Sequence, residues 1–426
     1  MKNFNYLILL LFIGNSFMLN AQSGKQKKAD KLYNNLAYSE AVDYYKDLIA
    51  KDYNTDYNKR QLGDTYMKLR DPQDAVVYYA DVVKQDSVSP EYYYKYAQAL
   101  RGVKRYDESR EWLKKYQQSG RKKKEANEIL ATNISDLKIK DEYRLTNVGF
   151  NSEYSDFGAY SNGGNLYVVS ARPFEGKKEK TYKWTGEPFL DVYRVNGNTL
   201  TSLPGDVNTP LHDGPISITK DGKYMYFTRN NYLGNKEGKK TKDKTNNLKI
   251  YRATNSNGTW DDIRELPFNN LNYSVGHPSI TADGKTLFFA SDMPGGKGGT
   301  DLYSVSVLGD NSYGTPQNLG DKINTSEEES FPYIAKDSIL YFSSNGHGGL
   351  GLLDIFKIDL KDPSAGITNL GAPVNSSLDD FSYFLEPDTN TGYFSSNREG
   401  GMGSDDVYGF NLLKTLVLKG QVSDAV

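Results

Sequence analysis

The sequence predicts a multidomain α + β chain in which an array of helical hairpins is followed by a five-bladed β-propeller, and three observations carry that prediction. Small residues recur in the first third of the chain at Ala29, Gly63 and Ala97, each 34 residues from the next. Beyond residue 141 one strand–turn–strand pattern occurs five times, its third strands beginning 58, 52, 53 and 52 residues apart. Hydrophobic residues make up 37% of the 426, low for one large core but suited to folds in which many short elements each bury one face.

In chain order, the first element is a targeting segment. Lys2 precedes an apolar run from Tyr6 to Met18, and Leu19-Asn20-Ala21 closes it before the polar stretch from Gln22 to Lys28. The run is too short to span a bilayer, so residues 1–21 are expected to be a cleaved signal peptide rather than a buried helix. No later segment is apolar enough to enter a membrane, so direct membrane insertion is not expected. The chain has no cysteine, which leaves neither a disulfide framework nor a lipidation site. With 52 basic and 54 acidic residues the formal charge is −2, and no global field draws nucleic acid to the protein.

Residues 22–140 are expected to form the helical array. The 34-residue offset also aligns Leu32, Tyr66 and Leu100, then Ala41, Ala75 and Ser109, then Tyr45, Tyr79 and Leu113, then Leu48, Val82 and Tyr116. Small residues recur where two helices must touch, and large ones where a neighbouring helix supplies the hole. That period is the one of tetratricopeptide repeats. Residues 122–137 continue as a charged helix with Ala126, Leu130, Ile134 and Leu137 on one side, expected to cap the stack. Resemblance to that repeat family implies a concave groove for a peptide or helix. The positions that map to it are Tyr57, Arg60, Asp64, Met67, Lys68, Tyr94, Gln98 and Arg101. Aromatic and guanidinium groups suit binding, while any amphipathic helix also has such a polar face.

Residues 141–414 carry the propeller. The second strands read Leu166–Val169, Met225–Phe227, Leu287–Phe289, Leu340–Phe342 and Gly392–Phe394, and the third strands begin at Asp191, Lys249, Asp301, Asp354 and Asp406. Fourth strands follow at Leu200, Ile263, Pro316 and Ile367, but none follows Tyr408. A matching segment, Tyr143–Val148, stands before the first blade instead. The expectation is that it completes the last blade and leaves no edge open, which favours five blades over six.

Little in the sequence points to chemistry. His212, His277 and His347 are isolated, with no zinc-ligand spacing, and no nucleophile elbow or phosphate loop is present. No catalytic residue, metal or cofactor is expected, and the chain reads as not an enzyme. Asp191, Asp301, Asp354 and Asp406 are expected to accept backbone N–H bonds from their own Gly-rich loops rather than ring a cation. Asp156, Asp213 and Asp380 begin first strands, which face the channel of a propeller; they are candidates for a channel ligand, against the alternative of solvated turn residues. The basic stretches Lys177–Lys180 and Lys236–Lys244 read as solvated loops.

Phe342-Ser343-Ser344-Asn345 with Asp354-Ile355-Phe356, and Phe394-Ser395-Ser396-Asn397 with Asp406-Val407-Tyr408, resemble the PD40 repeats of TolB-like propellers. A leader, hairpin repeats and PD40 blades in this order resemble the OmpA-family proteins of Bacteroidetes, including the PorE-type component of type IX secretion and gliding. Residues 415–426 look like the opening strand of the carboxypeptidase-regulatory-like β-sandwich that follows in that family. The resemblance implies a periplasmic scaffold, associated with the outer membrane, that links secretion or motility proteins to the cell wall. Peptidoglycan would be held by an OmpA-like domain beyond this sequence. The alternatives are a glycan-binding or hydrolytic propeller using its central channel, or a TolB-like envelope partner outside type IX secretion.

Overall fold

The computed structural model describes residues 22–120, 123–138, 142–173, 181–234, 236–336 and 338–413. The predicted leader, Lys177–Lys180 and the predicted sandwich strand lie outside the described residues.

Helix α1 (22–34) pairs with α2 (Tyr38–Ala50), α3 (Thr55–Lys68) with α4 (Pro72–Val82), and α5 (Glu91–Gly102) with α6 (Tyr106–Gln118). The turn inside each pair uses one left-handed residue, Leu36, Arg70 or Lys104, again 34 positions apart. At the second turn the Asp71 side chain accepts the Asp74 N–H and Pro72 opens α4, a favourable start for a helix. The recurring small and large positions meet as the spacing predicts: a Cβ on Gly63 would lie 2.7 Å from the Tyr79 ring. Tyr45, Leu48, Tyr79 and Val82 are buried in one continuous core.

One expectation for this region is corrected. The charged capping helix is two helices, α7 (Lys124–Ala131) and α8 (Ile134–Lys138), broken where Thr132 turns to extended backbone. The Thr132 hydroxyl donates back to Glu128 O, and Asn133 accepts the Ser135 N–H to start α8. Ile129, rather than Leu130, takes the buried position beside Ala126.

The β region forms five sheets arranged as blades. Blade one holds β2 (Asp156–Asn162), β3 (Asn165–Ser170), β4 (Asp191–Asn196) and β5 (Thr199–Ser202). Blade two holds β6 (Asp213–Ile218), β7 (Tyr224–Asn230), β10 (Leu248–Ser256) and β11 (Thr259–Glu265), with a small ribbon of β8 (Tyr232–Leu233) and β9 (Lys236–Glu237) in its basic insert. Blade three holds β12 (Val275–Ile280), β13 (Thr286–Ser291), β14 (Asp301–Gly309), β15 (Ser312–Tyr313) and β16 (Gln317–Asn318). Blade four holds β17 (Glu329–Ala335), β18 (Ile339–Ser344), β19 (Asp354–Asp359) and β20 (Thr368–Asn369), and blade five holds β21 (Asp380–Leu385), β22 (Thr391–Ser396) and β23 (Asp406–Leu412). The fourth strand of blade five is β1 (Tyr143–Asn147), which pairs antiparallel with β23 from Tyr143↔Leu412 to Asn147↔Tyr408. Ring closure by the first strand therefore holds. Tyr143 packs edge-on against Phe410 and fixes the seam.

The helical layer is seated on one end of the propeller. Arg101, buried in α5, donates to Gly349 O at 2.9 Å, and Ala372 N–H donates to Leu137 O at 2.7 Å. Glu125 accepts the Ser326 N–H, Glu128 meets His347, and Lys123 pairs with Glu327. Charged residues of the predicted cap thus face the propeller. On the opposite side a loop rises from blade one: Trp184 packs edge-on against Tyr38 and donates to Lys68 O, while Ser39 N–H donates to Trp184 O.

Candidate functional site at the mouth of the propeller

Each blade is entered through a short apolar-Asn-Ser/Thr segment: Phe150-Asn151-Ser152, Val207-Asn208-Thr209, Ile323-Asn324-Thr325 and Val374-Asn375-Ser376, with Phe268-Asn269-Asn270 as the variant. Each of the five asparagines clamps the third strand of the preceding blade, accepting a backbone N–H and returning a bond to the carbonyl of the same residue. The strand residues held are Val407, Val192, Ile250, Leu302 and Ile355. This device was missed at the sequence level, although the recurring tripeptide was there to find.

The following Ser or Thr serves the acid four residues on. Ser152, Thr209 and Ser376 bond Asp156, Asp213 and Asp380, each of which also takes an arginine: Arg172 at 2.8 Å, Arg229 at 2.6 Å, and Arg398. Those arginines bond back to the carbonyls of Phe150, Val207 and Val374. Both readings of Asp156, Asp213 and Asp380, as candidates for a channel ligand and as solvated turn residues, are corrected here. All three are fully buried, and their oxygens are consumed by the joint between blades. Burial pushes Asp213 up to about 6 against the opposing pull of Arg229. Blade three has Val275 at this position, and blade four has Glu329, held by Thr325 and Ser344.

Among the third-strand acids, Asp301 accepts the N–H groups of Lys297 and Gly298, Asp406 those of Met402 and Gly403, and Asp354 that of Gly351. Lys249, standing for the acid in blade two, pairs with Glu265 at 2.6 Å. Among the described residues no three His, Asp or Glu side chains converge as a metal-holding group.

Every inner strand has a bulge with one left-handed residue: Gly158, Gly214, His277, Phe331 and Ser382. Phe331, at φ 48°, is an uncommon conformation for an aromatic residue and costs about 1–3 kcal/mol. It turns the side chain onto the axis. There the His277 ring stacks on it at 3.8 Å, and Phe381 and Phe157 complete an aromatic plug. Burial among these rings pushes His277 down to about 4, so it is neutral near pH 7.

The plug divides the axis. At the far end lies an open basin of about 700 Å³ bordered by Tyr160, Tyr333, Phe384, Glu386 and Asp388. At the helical end lies a cleft of about 460 Å³ between the two layers, floored by His277 and Phe331. Asp64, Met67, Lys68, Tyr94 and Gln98 of the predicted groove line this cleft. The other three groove residues do not. Tyr57 donates to Asp30, Arg60 donates to Gln85, and Arg101 is buried against Gly349. The groove is therefore no open trough, because this chain's own propeller faces it.

Arg70, at the turn between α3 and α4, reaches over the mouth to Glu328 at 2.9 Å and Asp379 at 3.4 Å. Asp405 sits behind them and accepts the Ser155 hydroxyl; burial pushes it up to about 7. Burial also raises Asp379, with Arg70 pulling the other way.

No family model matches the chain, and no curated protein matches it. Solved structures do. A thermostable family-43 glycoside hydrolase is 13% identical with a TM-score of 0.41, covering 63% of this chain and 91% of its own. The α-L-arabinofuranosidase from Lactobacillus brevis is 11% identical with a TM-score of 0.37, covering 66% and 94%. A puromycin hydrolase is 12% identical with a TM-score of 0.33; the match covers 61% of this chain but only 35% of that one, so the chain spans about a third of that hydrolase. The expectation that the chain is not an enzyme is corrected on this finding, since the propellers it is similar to belong to glycoside hydrolases and peptidases. At these scores the likeness assigns neither a substrate nor a residue role to this chain.

Proposed function

We propose that this chain is a docking scaffold of the cell envelope, its hairpins a tetratricopeptide solenoid and its blades PD40 repeats, in the manner of the OmpA-family proteins it resembles. The observation that carries the reading is the cleft. Two layers meet through ion pairs yet leave about 460 Å³ walled by Tyr94, Trp184 and Phe331 and by both signs of charge. Aromatic walls with placed polar groups are what a recognition site offers. In this reading the protein acts in the periplasm between outer-membrane secretion or motility proteins and a peptidoglycan-binding domain beyond this sequence. Affinity purification of the full-length protein from its own envelope, with mass spectrometry of what co-elutes, tests it. Outer-membrane secretion or motility proteins are the expected companions; recovery of the protein alone removes the support.

A second reading is favoured by the far basin, where Tyr160, Tyr333 and Phe384 lie near Glu386 and Asp388. Rings beside carboxylates suit a saccharide, so this reading is a glycan-binding or hydrolytic propeller. Turnover of a saccharide panel by the purified chain, lost in Glu386→Gln with the fold intact, would favour it; no turnover and no binding would dismiss it.

A further inference from the structure

We propose that His347 is a proton-held latch: its imidazolium fastens helix α7 to blade four, and loss of one ring proton loosens the seat of the helical layer on blades three and four. The latch is a property of the joint between the layers and does not depend on what the molecule docks with.

Hydrogen-bond roles carry the case. His347 is buried in the loop between β18 and β19, and both of its ring nitrogens face oxygen. Nε2 lies 2.9 Å from the Ile323 carbonyl and Nδ1 3.3 Å from the Glu128 carboxylate. Glu128 is ionised near pH 7, because the bond from His347 holds it below the usual carboxylate range. A carbonyl and an ionised carboxylate only accept, so a neutral ring, with one N–H, serves one of them and turns a lone pair on the other. The imidazolium donates to both.

The elements around the ring point the same way. Its loop is pressed against the last turn of α7, where a Cβ on Gly348 would collide with the Thr132 hydroxyl, and a helix C-terminus favours positive charge. On the propeller side Glu329 is buried, and its oxygens are taken by the Thr325 N–H and hydroxyl and by the Ser344 hydroxyl. Burial raises Glu329 itself. Phe342 and Phe356 hold the ring from below without charge. On α7, Lys124 pairs with the other Glu128 oxygen at 3.3 Å but is exposed, while Lys123 and Glu125 are engaged by Glu327 and the Ser326 N–H. Burial works to strip His347 of its proton, yet the bonds to Glu128 and Ile323 O and the charge of Glu329 outweigh it and raise the group above its ordinary value. A histidine freed from the seat takes its proton near pH 6.5, so this contribution is full below that value and is lost as pH rises through the seated one. Asp354, farther along the loop, is pushed up to about 7 by burial against the pull of Arg101, and its effect has the same sign but is complete by about pH 7.

The chain has three histidines, and His212 and His277 are both pushed down to about 4, so an NMR titration of histidine-labelled protein isolates His347. One imidazole is expected to titrate with a midpoint above about 6.5, moving down by about one unit, tenfold in proton affinity, in Glu128→Gln. Backbone exchange, corrected for its intrinsic pH dependence, then reads the seat at the Ser326 N–H, bonded to Glu125, and the Ala372 N–H, bonded to Leu137 O. Their protection should fall by about tenfold between about pH 7 and 9 in the wild type and stay level over that range in His347→Gln. Thermal unfolding at about pH 6 checks that the variants are folded, and Glu128→Gln, at the edge of the joint, carries the exchange test if His347→Gln does not fold. A His347 midpoint below about 6.5, or seat protection that falls equally in the wild type and the variant above about pH 7, overturns the proposal.

Discussion

At the scale of single residues, the propeller is held by side chains that stand in for backbone. Asn208 gives Val192 both of its hydrogen bonds across a blade boundary, at 2.8 and 2.9 Å. Asn208→Ala leaves a donor and an acceptor unmatched near the core, so chemical denaturation should show a loss of about 2–4 kcal/mol. His212 offers a pH test. Its ring lies against Tyr182 and Phe189, its Nδ1 accepts the Leu190 N–H, and burial pushes it down to about 4. An unfolded histidine takes its proton near pH 6.5, so stability from this group is full above that value and is lost as pH falls toward 4. The fall in unfolding free energy between pH 7 and pH 4 should be smaller in His212→Gln by about 2–3 kcal/mol. Of these features, the acid–loop bonds of Asp301, Asp354 and Asp406 were legible, because acid and loop are close in sequence. The Asp213–Arg229 and Asp380–Arg398 pairs were not, since Arg229 lies on the next strand and Arg398 just past the end of one, and only the fold brings them to the acids.

At the scale of elements, periodicity was the readable signal. The 34-residue spacing placed the close approach of Gly63 to Tyr79 and the buried positions of the hairpins, and the missing fourth strand of blade five pointed to β1. The break between α7 and α8 escaped because Thr132 and Asn133 fit a helix pattern; it is their side-chain bonds to Glu128 O and the Ser135 N–H that stop one helix and start the next. Tyr143→Ala removes a ring buried against Phe410 at the closing seam. It should cost about 3–4 kcal/mol, read by denaturation, and expose the β23 edge to aggregation. In the helices, Gly63→Val should destabilise by about 1–3 kcal/mol because its side chain meets the Tyr79 ring. Equal unfolding midpoints for Gly63→Val and the wild type would speak against the hairpin packing.

At the scale of the whole molecule, the seating of helices on the propeller was invisible in the sequence. Its contacts join residues such as Arg70 and Glu328 or Arg101 and Gly349, which share no local pattern, and the groove residues carry the same signal whether a partner or this chain's own propeller covers them. The cleft, the reach of Arg70 to Glu328 and Asp379, and the Trp184 loop follow from that seating. Trp184→Ala should leave the global unfolding free energy nearly unchanged but raise protease cleavage between α2 and α3 severalfold, since among the described residues that side has few other bonds to the propeller. Backbone hydrogen exchange of the wild-type chain tests the seating most directly. The Ser326 N–H is bonded to Glu125 and the Ala372 N–H to Leu137 O. Both should be protected as strongly as the blade cores; exchange of both at the rate of free loops would mean that the helical layer does not sit on the propeller.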